Sequence, residues 1–313
     1  MSSNRAPDKD PITIVVQSRP ARFTLAKDLV LPPATRLQLD ECLTRLRYHS
    51  VIYHDWGFSE VDPMGRSLVV SLQGPPGTGK TMAAEALAGT LLRPFIHLGI
   101  AEVESSLLGA TGRNIIAAFE AARKVNAVLF FDEADTLLGK RLSSVTQGVD
   151  QEINAMRSTM FIELERFEGI VVFASNFAQN YDKAFLSRIS YHVTFGLPEV
   201  EELRALWDRM ITSKIPLADA RATLIERCAV SSVGLAGRDI RTCMRLALPK
   251  ALLAAGGDPA KAQLAWEHVS EAIAQVRSVA SSDGAKPVDP RVESIRGLMN
   301  RSIREEGDDH GIS

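Results

Sequence analysis

The stretch "LVVSLQGPPGTGKT", residues 68–81, joins a strand-sized apolar run to a glycine-rich turn that ends in lysine and threonine. Its glycines allow the backbone to curl so that its N–H groups face a phosphate. Lys80 is placed to reach the β- and γ-phosphates, and the Thr81 hydroxyl to ligate Mg²⁺. The stretch therefore predicts a nucleoside triphosphate site, and leaves open whether a kinase, a switch or a motor uses it. The predicted binding residues are Gly74, Pro75, Pro76, Gly77, Thr78, Gly79, Lys80, Thr81 and Met82.

Strand-length apolar runs recur along the first two thirds of the chain and alternate with helical patterns. The runs are "LVVSLQ" (68–73), "FIHLGI" (95–100), "AVLFFD" (127–132), "GIVVFAS" (169–175) and "SYHVTF" (190–195). Strands that alternate with helices are typical of a parallel sheet covered on both faces. We therefore predict an α/β fold with a five-stranded parallel sheet and helices on both of its faces.

Beyond Pro198 the pattern changes, because only helical periodicity continues, up to about residue 280. Its segments are "EVEELRALWDRMI", "DARATLIERCAV", "AGRDIRTCMRLALPKALLAA" and "PAKAQLAWEHVSEAIAQVRSV". This change predicts a small all-helical domain. The predicted divisions are an N-terminal segment and linker at 1–66, the α/β domain at 67–197, the helical domain at 198–280 and a polar tail at 281–313.

Composition argues against several classes of partner. The net charge of the 313 residues is −2, so no overall positive field favours nucleic acid. The longest apolar runs are far shorter than a membrane span, and the N-terminus lacks the pattern of a secretory signal. Cys42, Cys228 and Cys243 lie far apart without metal-ligand spacing, so we expect small buried residues in a reducing compartment. These features predict a cytoplasmic protein that does not bind membrane, and they argue against a nucleic-acid partner.

The run "AVLFFDEAD", residues 127–135, brings two acidic residues to the end of a buried strand. Ligands bind at the carboxyl ends of strands in open α/β sheets. Asp132 is therefore predicted to hold Mg²⁺ through its water shell, and Glu133 to orient or deprotonate an attacking water. A second acid here favours water over the acceptor hydroxyl of a kinase. The letters "DEAD" also name a class of helicases, but those need a second sheet domain, which the helical half does not offer.

Three further polar residues are candidates for contact with the γ-phosphate. Asn176 ends the strand "VVFASN", where it could touch that phosphate or the water, although strand-terminal asparagines are often turn residues. Arg188 follows "DKAFLS" at the edge of the domain, where it could reach a neighbouring subunit as an arginine finger. The alternative is a surface arginine paired with Asp182. Arg238, in "GLAGRDIR", could fold back onto the phosphates from a mobile lid, or simply start a helix.

These five motifs, in this order, resemble the AAA+ ATPases over about residues 45–280. The resemblance implies a P-loop AAA+ core with a helical lid, ATP and Mg²⁺ as cofactors, and a hexamer with ATP between its subunits. It also implies roles for residues already named. Gly74–Thr81 match the Walker A motif, and Asp132 and Glu133 match the Walker B motif. Asn176 matches sensor 1, Arg188 matches the arginine finger, and Arg238 matches the second sensor. The segment "IYHDWGF", residues 52–58, looks like the linker that closes over the adenine.

Within that family, "GLAGRDIR" and "DKAFLSRI" resemble the pachytene-checkpoint type of remodeller. Such proteins reshape HORMA-domain partners, and bacteria carry relatives in antiphage signalling operons. Many other members have alanine where Arg238 stands and a second arginine beside the finger, where this chain has Ser187. The resemblance implies a protein substrate for this chain, and its HORMA specificity is an expectation.

Two departures from that type bear on how a substrate would be held. Eukaryotic members have an N-terminal partner-binding domain, whereas this chain begins almost directly with the ATPase linker. The family's pore loop usually presents an aromatic residue followed by an apolar one, where Leu107 and Leu108 stand here. Two leucines could grip an extended peptide without aromatic stacking area, or they could staple a helix start to the core.

The predicted function is an ATP-driven protein remodeller. The alternatives are a nucleic-acid motor or loader, and a regulatory ATPase that only scaffolds a complex. The near-neutral charge argues against the first, and Glu133 and Arg188 argue against the second. A zinc-protease role is not predicted, because no "HExxH" motif occurs in the sequence.

Overall fold

A computed structural model of the chain describes residues 16–62, 67–99, 110–135, 148–176 and 183–284. Leu107, Leu108 and Asp182 lie outside the described residues, so the hypotheses about them stay predictions. The chain divides into two compact units. The first holds the residues up to Thr212 together with Ser232–Ile240, and the second holds Ser213–Ser231 with the residues from Arg241 onward. The domain limits inferred from the sequence stay a prediction.

The first unit is built on a parallel sheet. Its strands are β1 (Leu68–Gln73), β2 (Phe95–Gly99), β3 (Val128–Asp132), β4 (Ile170–Ser175) and β5 (Tyr191–Thr194). The described strands pair in the order β2-β3-β4-β1-β5, and each pairing is parallel. This arrangement confirms the predicted fold class. It also brings the carboxyl ends of β1, β3 and β4 next to one another, at the end of the sheet where the predicted catalytic side chains begin.

Helices cover both faces of this sheet because its strand residues alternate between two cores. The helices of this unit are α1 (Pro33–Arg47), α2 (Lys80–Thr90), α3 (Ala110–Val125), α4 (Gly148–Arg166), α5 (Lys183–Leu186) and α6 (Val200–Met210). Leu129 and Phe131 belong to a core that includes residues of α3 and α4. Val128 and Phe130 belong to a core that includes residues of α1 and α2. Strands buried on both faces read as continuous apolar runs, which is the pattern seen in the sequence.

The N-terminal region is made of one helix and two short turns. Helix α1 ends at Arg47, and a separate π-helical turn follows at Val51–Asp55. A short 3₁₀ turn, Phe58–Glu60, then follows Gly57, whose φ of 73° is in the left-handed region that favours glycine. The stretch "IYHDWGF", residues 52–58, therefore runs from the π-helical turn into the start of the 3₁₀ turn.

The second unit is helical in its described part. It contains α7 (Arg221–Ser231), α8 (Gly237–Ala254, whose first turn belongs to the first unit) and α9 (Trp266–Gly284). The predicted helix from residue 259 is wrong over its first seven residues, because α9 begins only at Trp266. Instead, Leu264 forms a parallel bridge with Leu217, and the Asp219 carboxylate accepts the Trp266 N–H at 2.8 Å. A cap supplied by a residue 47 positions away leaves no local signal in the sequence.

The three cysteines are buried and form no disulfide, as predicted. Burial raises the pKa of Cys42 and of Cys228 to about 12, so both thiols stay protonated at neutral pH. No helix in the described ranges combines the length and the apolar character that a membrane crossing requires.

An N-terminal strap, residues 16–25, is tied to α2 through one buried carboxylate. Arg19 pairs with Phe95 in an antiparallel bridge at the free edge of β2. The guanidinium groups of Arg19 and Arg22 both donate to Glu85, which is 1% exposed. Burial raises the pKa of Glu85, but these hydrogen bonds outweigh it and hold that pKa far below its usual range. The strap therefore depends on the charge of Glu85.

Replacing Glu85 with glutamine should lower the free energy of unfolding at pH 7 by about 2 kcal/mol, because hydrogen bonds to a charged group are lost. A depressed pKa stabilises the fold above the unfolded-state pKa, so the difference from wild type should narrow as the pH falls below about 4. Urea denaturation at several pH values measures both effects. Glu120→Gln, at an exposed site on α3, is the control. Equal stability of Glu85→Gln and wild type at pH 7 would contradict the assignment.

Candidate active site

The glycine-rich loop follows β1 and touches the first turn of α8. Gly77 has a φ of +80°, and a Cβ there would lie 2.9 Å from the Cβ of Arg238. The Arg238 N–H donates to the Gly77 carbonyl at 3.1 Å. Glycine at position 77 is thus required both by the backbone conformation and by the approach of residues 236–238. Arg238 therefore contacts the glycine-rich loop through its backbone and its Cβ, and its predicted role as the second sensor stays a prediction.

The loop and the start of α2 fit a triphosphate. Gly79 has a φ of +101°, and a Cβ there would meet nothing within 4 Å, so the space beside Gly79 is open. No side chain caps α2 at Gly79. The first N–H groups of a helix lack acceptors inside it and carry the positive end of its dipole. Uncapped N–H groups that face open space can cradle phosphate oxygens.

Lys80 is the most constrained side chain of the loop. Its Nζ donates to the carbonyls of Gly74 (2.7 Å) and Pro75 (2.9 Å) and to Oδ1 of Asn176 (2.8 Å). Burial lowers the pKa of Lys80, and the negative charges of Asp132 and Asp135 oppose that shift. The predicted Lys80 and Asn176 are therefore in direct contact, although 96 positions separate them.

Thr81 and Asp132 also meet, as a Mg²⁺ site requires. The Thr81 hydroxyl donates to Oδ2 of Asp132 at 2.9 Å, and Nε2 of His97 lies 3.4 Å from the same oxygen. Burial raises the pKa of Asp132, but hydrogen bonds from His97, Thr81 and the Glu133 N–H outweigh burial and lower it. Hydroxyl and carboxylate oxygens are ligands that Mg²⁺ accepts, directly or through water. Sequence reasoning missed His97, because one histidine inside a strand carries no motif.

Glu133 is held in an unusual backbone conformation. Its φ is +54°, a left-handed value that is uncommon for a glutamate, and its N–H donates to Oδ1 of Asp132 at 3.0 Å. The residue is exposed. Strained backbone is frequent at functional sites, where surrounding structure holds a side chain in place. Glu133 is therefore an accessible carboxylate beside the Thr81–Asp132 pair, as the proposed base has to be.

Asp135 is a second residue that the sequence reasoning missed. Its carboxylate accepts a hydrogen bond from the Ser175 hydroxyl and another from the Asn176 N–H at 3.2 Å. The only available signal was the last letter of "DEAD", which suggested a helicase and was not interpreted further. Asp135 fastens the end of β4 to the residues that follow β3.

Arg188 contacts none of these groups through the hydrogen bonds described. Its guanidinium donates to the Glu165 carboxylate on α4 and to the Ala184 carbonyl, and lies over the Phe161 ring at 4.7 Å. The observed acidic partner is thus Glu165, which the sequence analysis did not name. Because these contacts of Arg188 do not involve the glycine-rich loop of its own chain, they are compatible with a role as an arginine finger in a neighbouring subunit.

Comparison with known proteins shows what this domain is similar to. Residues 70–197 match the model of the ATPase family associated with various cellular activities, AAA. This region is therefore similar to AAA ATPase domains. The match confirms the predicted ATPase domain with ATP and Mg²⁺ as cofactors.

Relatives of the AAA domain include energy-dependent proteases and proteasome components. The chain is 35% identical over 167 residues to the ATP-dependent zinc metalloprotease FtsH of Ureaplasma parvum, covering 49% of this chain and 23% of that protein. It is 32% identical over 180 residues to a 26S proteasome regulatory subunit 7 homolog of Schizosaccharomyces pombe, covering 55% and 41%. The chain thus spans less than half the length of either relative.

Solved structures support the fold. The crystal structure of the FIGL-1 AAA domain superposes with a TM-score of 0.65 at 20% identity and covers 92% of each chain. A second FIGL-1 AAA structure, in complex with ADP, gives a TM-score of 0.57 at 22% identity and covers 74% of this chain. At this identity the likeness shows a shared fold and nothing about substrates.

Proposed function

We propose that the protein is an ATP-driven remodeller of other proteins and that it hydrolyses ATP at the interfaces of a homo-hexamer. The observation that carries the proposal is the contact between Lys80 and Asn176, beside Thr81, Asp132 and Glu133. A kinase also needs the lysine and the metal site. An exposed carboxylate directly after Asp132, one of the proposed metal-site residues, favours water as the acceptor.

Each residue has a defined part in the proposed mechanism. ATP, when bound with Mg²⁺, supplies the phosphoanhydride bond whose hydrolysis drives the cycle. The loop N–H groups and Lys80 hold the phosphate oxygens, and Thr81 and Asp132 hold the metal and its waters. Glu133 takes a proton from the attacking water, and the Asn176 amide orients that water or the γ-phosphate.

Two arginines connect the site to motion. Arg188 of a neighbouring copy stabilises the negative charge that develops in the transition state. Arg238, whose backbone already binds Gly77, senses the phosphates from the first turn of α8. Loops at a central pore, with Leu107 and Leu108 among their residues, then pull on the substrate.

The proposed substrate is a protein, and within that class a HORMA-domain protein of a bacterial antiphage system. The names of the relatives, a metalloprotease and a proteasome subunit, support a protein substrate. The resemblance of "GLAGRDIR" and "DKAFLSRI" to the pachytene-checkpoint type supports the narrower assignment. Three buried cysteines that form no disulfide support a reducing compartment such as the cytoplasm.

The partner is tested with the full chain carrying Glu133→Gln, which should bind ATP without turning it over and so retain its substrate. We expect this variant to hold a purified HORMA-domain protein in the presence of ATP and Mg²⁺. The Lys80→Met variant, which lacks the phosphate-binding ammonium, should not hold it. Stimulation of the wild-type ATPase by single-stranded DNA, without stimulation by any protein, would favour a nucleic-acid motor instead.

A further inference from the structure

Asp135 lies where two strand ends and the phosphate-binding loop meet. The Ala134 N–H donates to the Ala174 carbonyl at 2.9 Å, so the residues after β3 continue along β4. On the other side of β4, the Gly74 N–H donates to the Ser175 carbonyl at 3.3 Å. The chain at positions 174–176 is therefore bonded to the residues after Glu133 and to the first glycine of the loop.

The carboxylate of Asp135 accepts two described hydrogen bonds at the end of β4. One oxygen accepts from the Ser175 hydroxyl, whose residue is 1% exposed, and the other accepts from the Asn176 N–H at 3.2 Å. Hydrogen bonds to an ionised acceptor are about twice as strong as neutral ones. Two such bonds, from the side chain of residue 175 and the N–H of residue 176, fix the position of the backbone at Asn176.

This anchoring decides where the Asn176 side chain points. Its Oδ1 accepts from Lys80 Nζ at 2.8 Å, which requires the backbone at 176 to hold the amide toward the loop. Asp135 is two residues beyond Glu133, whose left-handed φ leaves few backbone alternatives. A single carboxylate thus links the proposed base to the proposed sensor and, through it, to Lys80.

We propose that Asp135 is a positioning residue for ATP hydrolysis, which holds Glu133 and Asn176 in register around the γ-phosphate. The inference rests on the proposed function, because it assumes that Glu133 and Asn176 act on that phosphate. The described hydrogen bonds of Asp135 go to the end of β4, to the Ser175 hydroxyl and the Asn176 N–H. Because these bonds hold a residue assigned to the chemical step, loss of Asp135 should slow that step more than it weakens nucleotide binding.

The test compares full-length variants by steady-state ATPase and by the Kd of a fluorescent ATP analogue. Asparagine at 135 keeps the shape of the side chain and can still bond to both groups, because the Ser175 hydroxyl can accept from its N–H₂ group. The substitution removes the negative charge, so both hydrogen bonds become neutral and weaker. Asp135→Asn should lower kcat roughly tenfold or more, because small misplacements of catalytic groups are costly, while Kd changes by less than about twofold. Ser175→Ala, which removes one of the two donors, should lower kcat less. Ser175→Thr keeps the hydroxyl and should retain wild-type kcat.

A double-mutant cycle separates positioning from general loss of structure. Asp135→Asn with Ser175→Ala should be about as slow as Asp135→Asn alone, because both changes break the same junction. The control is Asp28→Asn, which weakens another carboxylate that accepts a backbone N–H, from Thr24 at 2.7 Å, away from the loop. This control should leave kcat unchanged even where it lowers the melting temperature.

Three results would overturn the inference. Asp135→Asn with wild-type kcat would show that the junction does not position the catalytic groups. Equal losses in kcat and in ATP affinity, matched by the melting temperature, would assign Asp135 a structural role only. A wild-type chain without ATPase activity would overturn the proposed function and, with it, this inference, whereas the first two results leave the proposed function intact.

Discussion

Glu133→Gln is expected to bind ATP as tightly as wild type and to lower kcat by about 10³-fold, the range expected when a general base is lost. The amide is nearly isosteric with the carboxylate but cannot accept the proton of the attacking water. The groups proposed to hold the nucleotide, Lys80, Thr81 and Asp132, form described hydrogen bonds in which the Glu133 side chain has no part. The loss should therefore fall on the chemical step.

Single-turnover hydrolysis and equilibrium binding of ATP measure the two quantities separately. Glu120→Gln, which removes an exposed carboxylate from α3 of the same unit, serves as the matched control and should hydrolyse ATP at the wild-type rate. If Glu133→Gln turned over ATP normally, the base would be another group. A parallel loss of ATP affinity would instead place Glu133 among the binding residues.

Arg188→Ala should reduce kcat by about 10³-fold or more, the magnitude associated with arginine fingers, with little change in Kd for ATP. The guanidinium is held by Glu165, by the Ala184 carbonyl and by the Phe161 ring. All three lie apart from the phosphate-binding loop in the contacts described. Removing the guanidinium should thus leave the loop of the same chain as it is. Arg166→Ala, at the exposed neighbour of Glu165, is the matched control.

Mixing two inactive proteins tests whether Arg188 acts between subunits. An assembly of Arg188→Ala and Glu133→Gln chains contains interfaces where one chain supplies an intact Glu133 and its neighbour an intact Arg188. Such interfaces should recover a measurable fraction of the wild-type ATPase rate. If every mixing ratio were inactive while mixed assemblies formed, Arg188 would have to act within its own chain.

Much of the fold follows from local patterns. The strands of the sheet were predicted within one residue at each end, because buried parallel strands are short apolar runs that stand out from their neighbours. Polar residues directly after such runs had to lie at one end of the sheet. For that reason Lys80, Asp132 and Asn176 could be placed together from the sequence, and their observed proximity agrees with that prediction.

Other features depend on contacts between distant residues and left no local signal. The start of α9 is set by Asp219, and an acidic partner of Arg188 is Glu165, 23 positions away. The helical periodicity around residue 260 was misleading. The backbone of Leu264 pairs with Leu217 in a parallel bridge, and a helix pattern in the sequence cannot show that such a distant strand partner exists. His97 and Asp135 were missed because their roles appear only through contacts with Asp132 and with Ser175 and Asn176.

The sequence by itself determined that this chain carries a phosphate-binding loop on a parallel sheet. The glycine-rich motif, the short apolar runs and the acidic residues that follow them are each properties of a short segment. Only the tertiary structure decided how those segments meet. It placed the Asn176 amide on Lys80, tied Asp135 to the end of β4 and set the Arg238 backbone against Gly77. Such contacts depend on how parallel strands pair and on where side chains separated by dozens of residues converge. A hydrogen bond of 3 Å is a property of that convergence and not of any single segment.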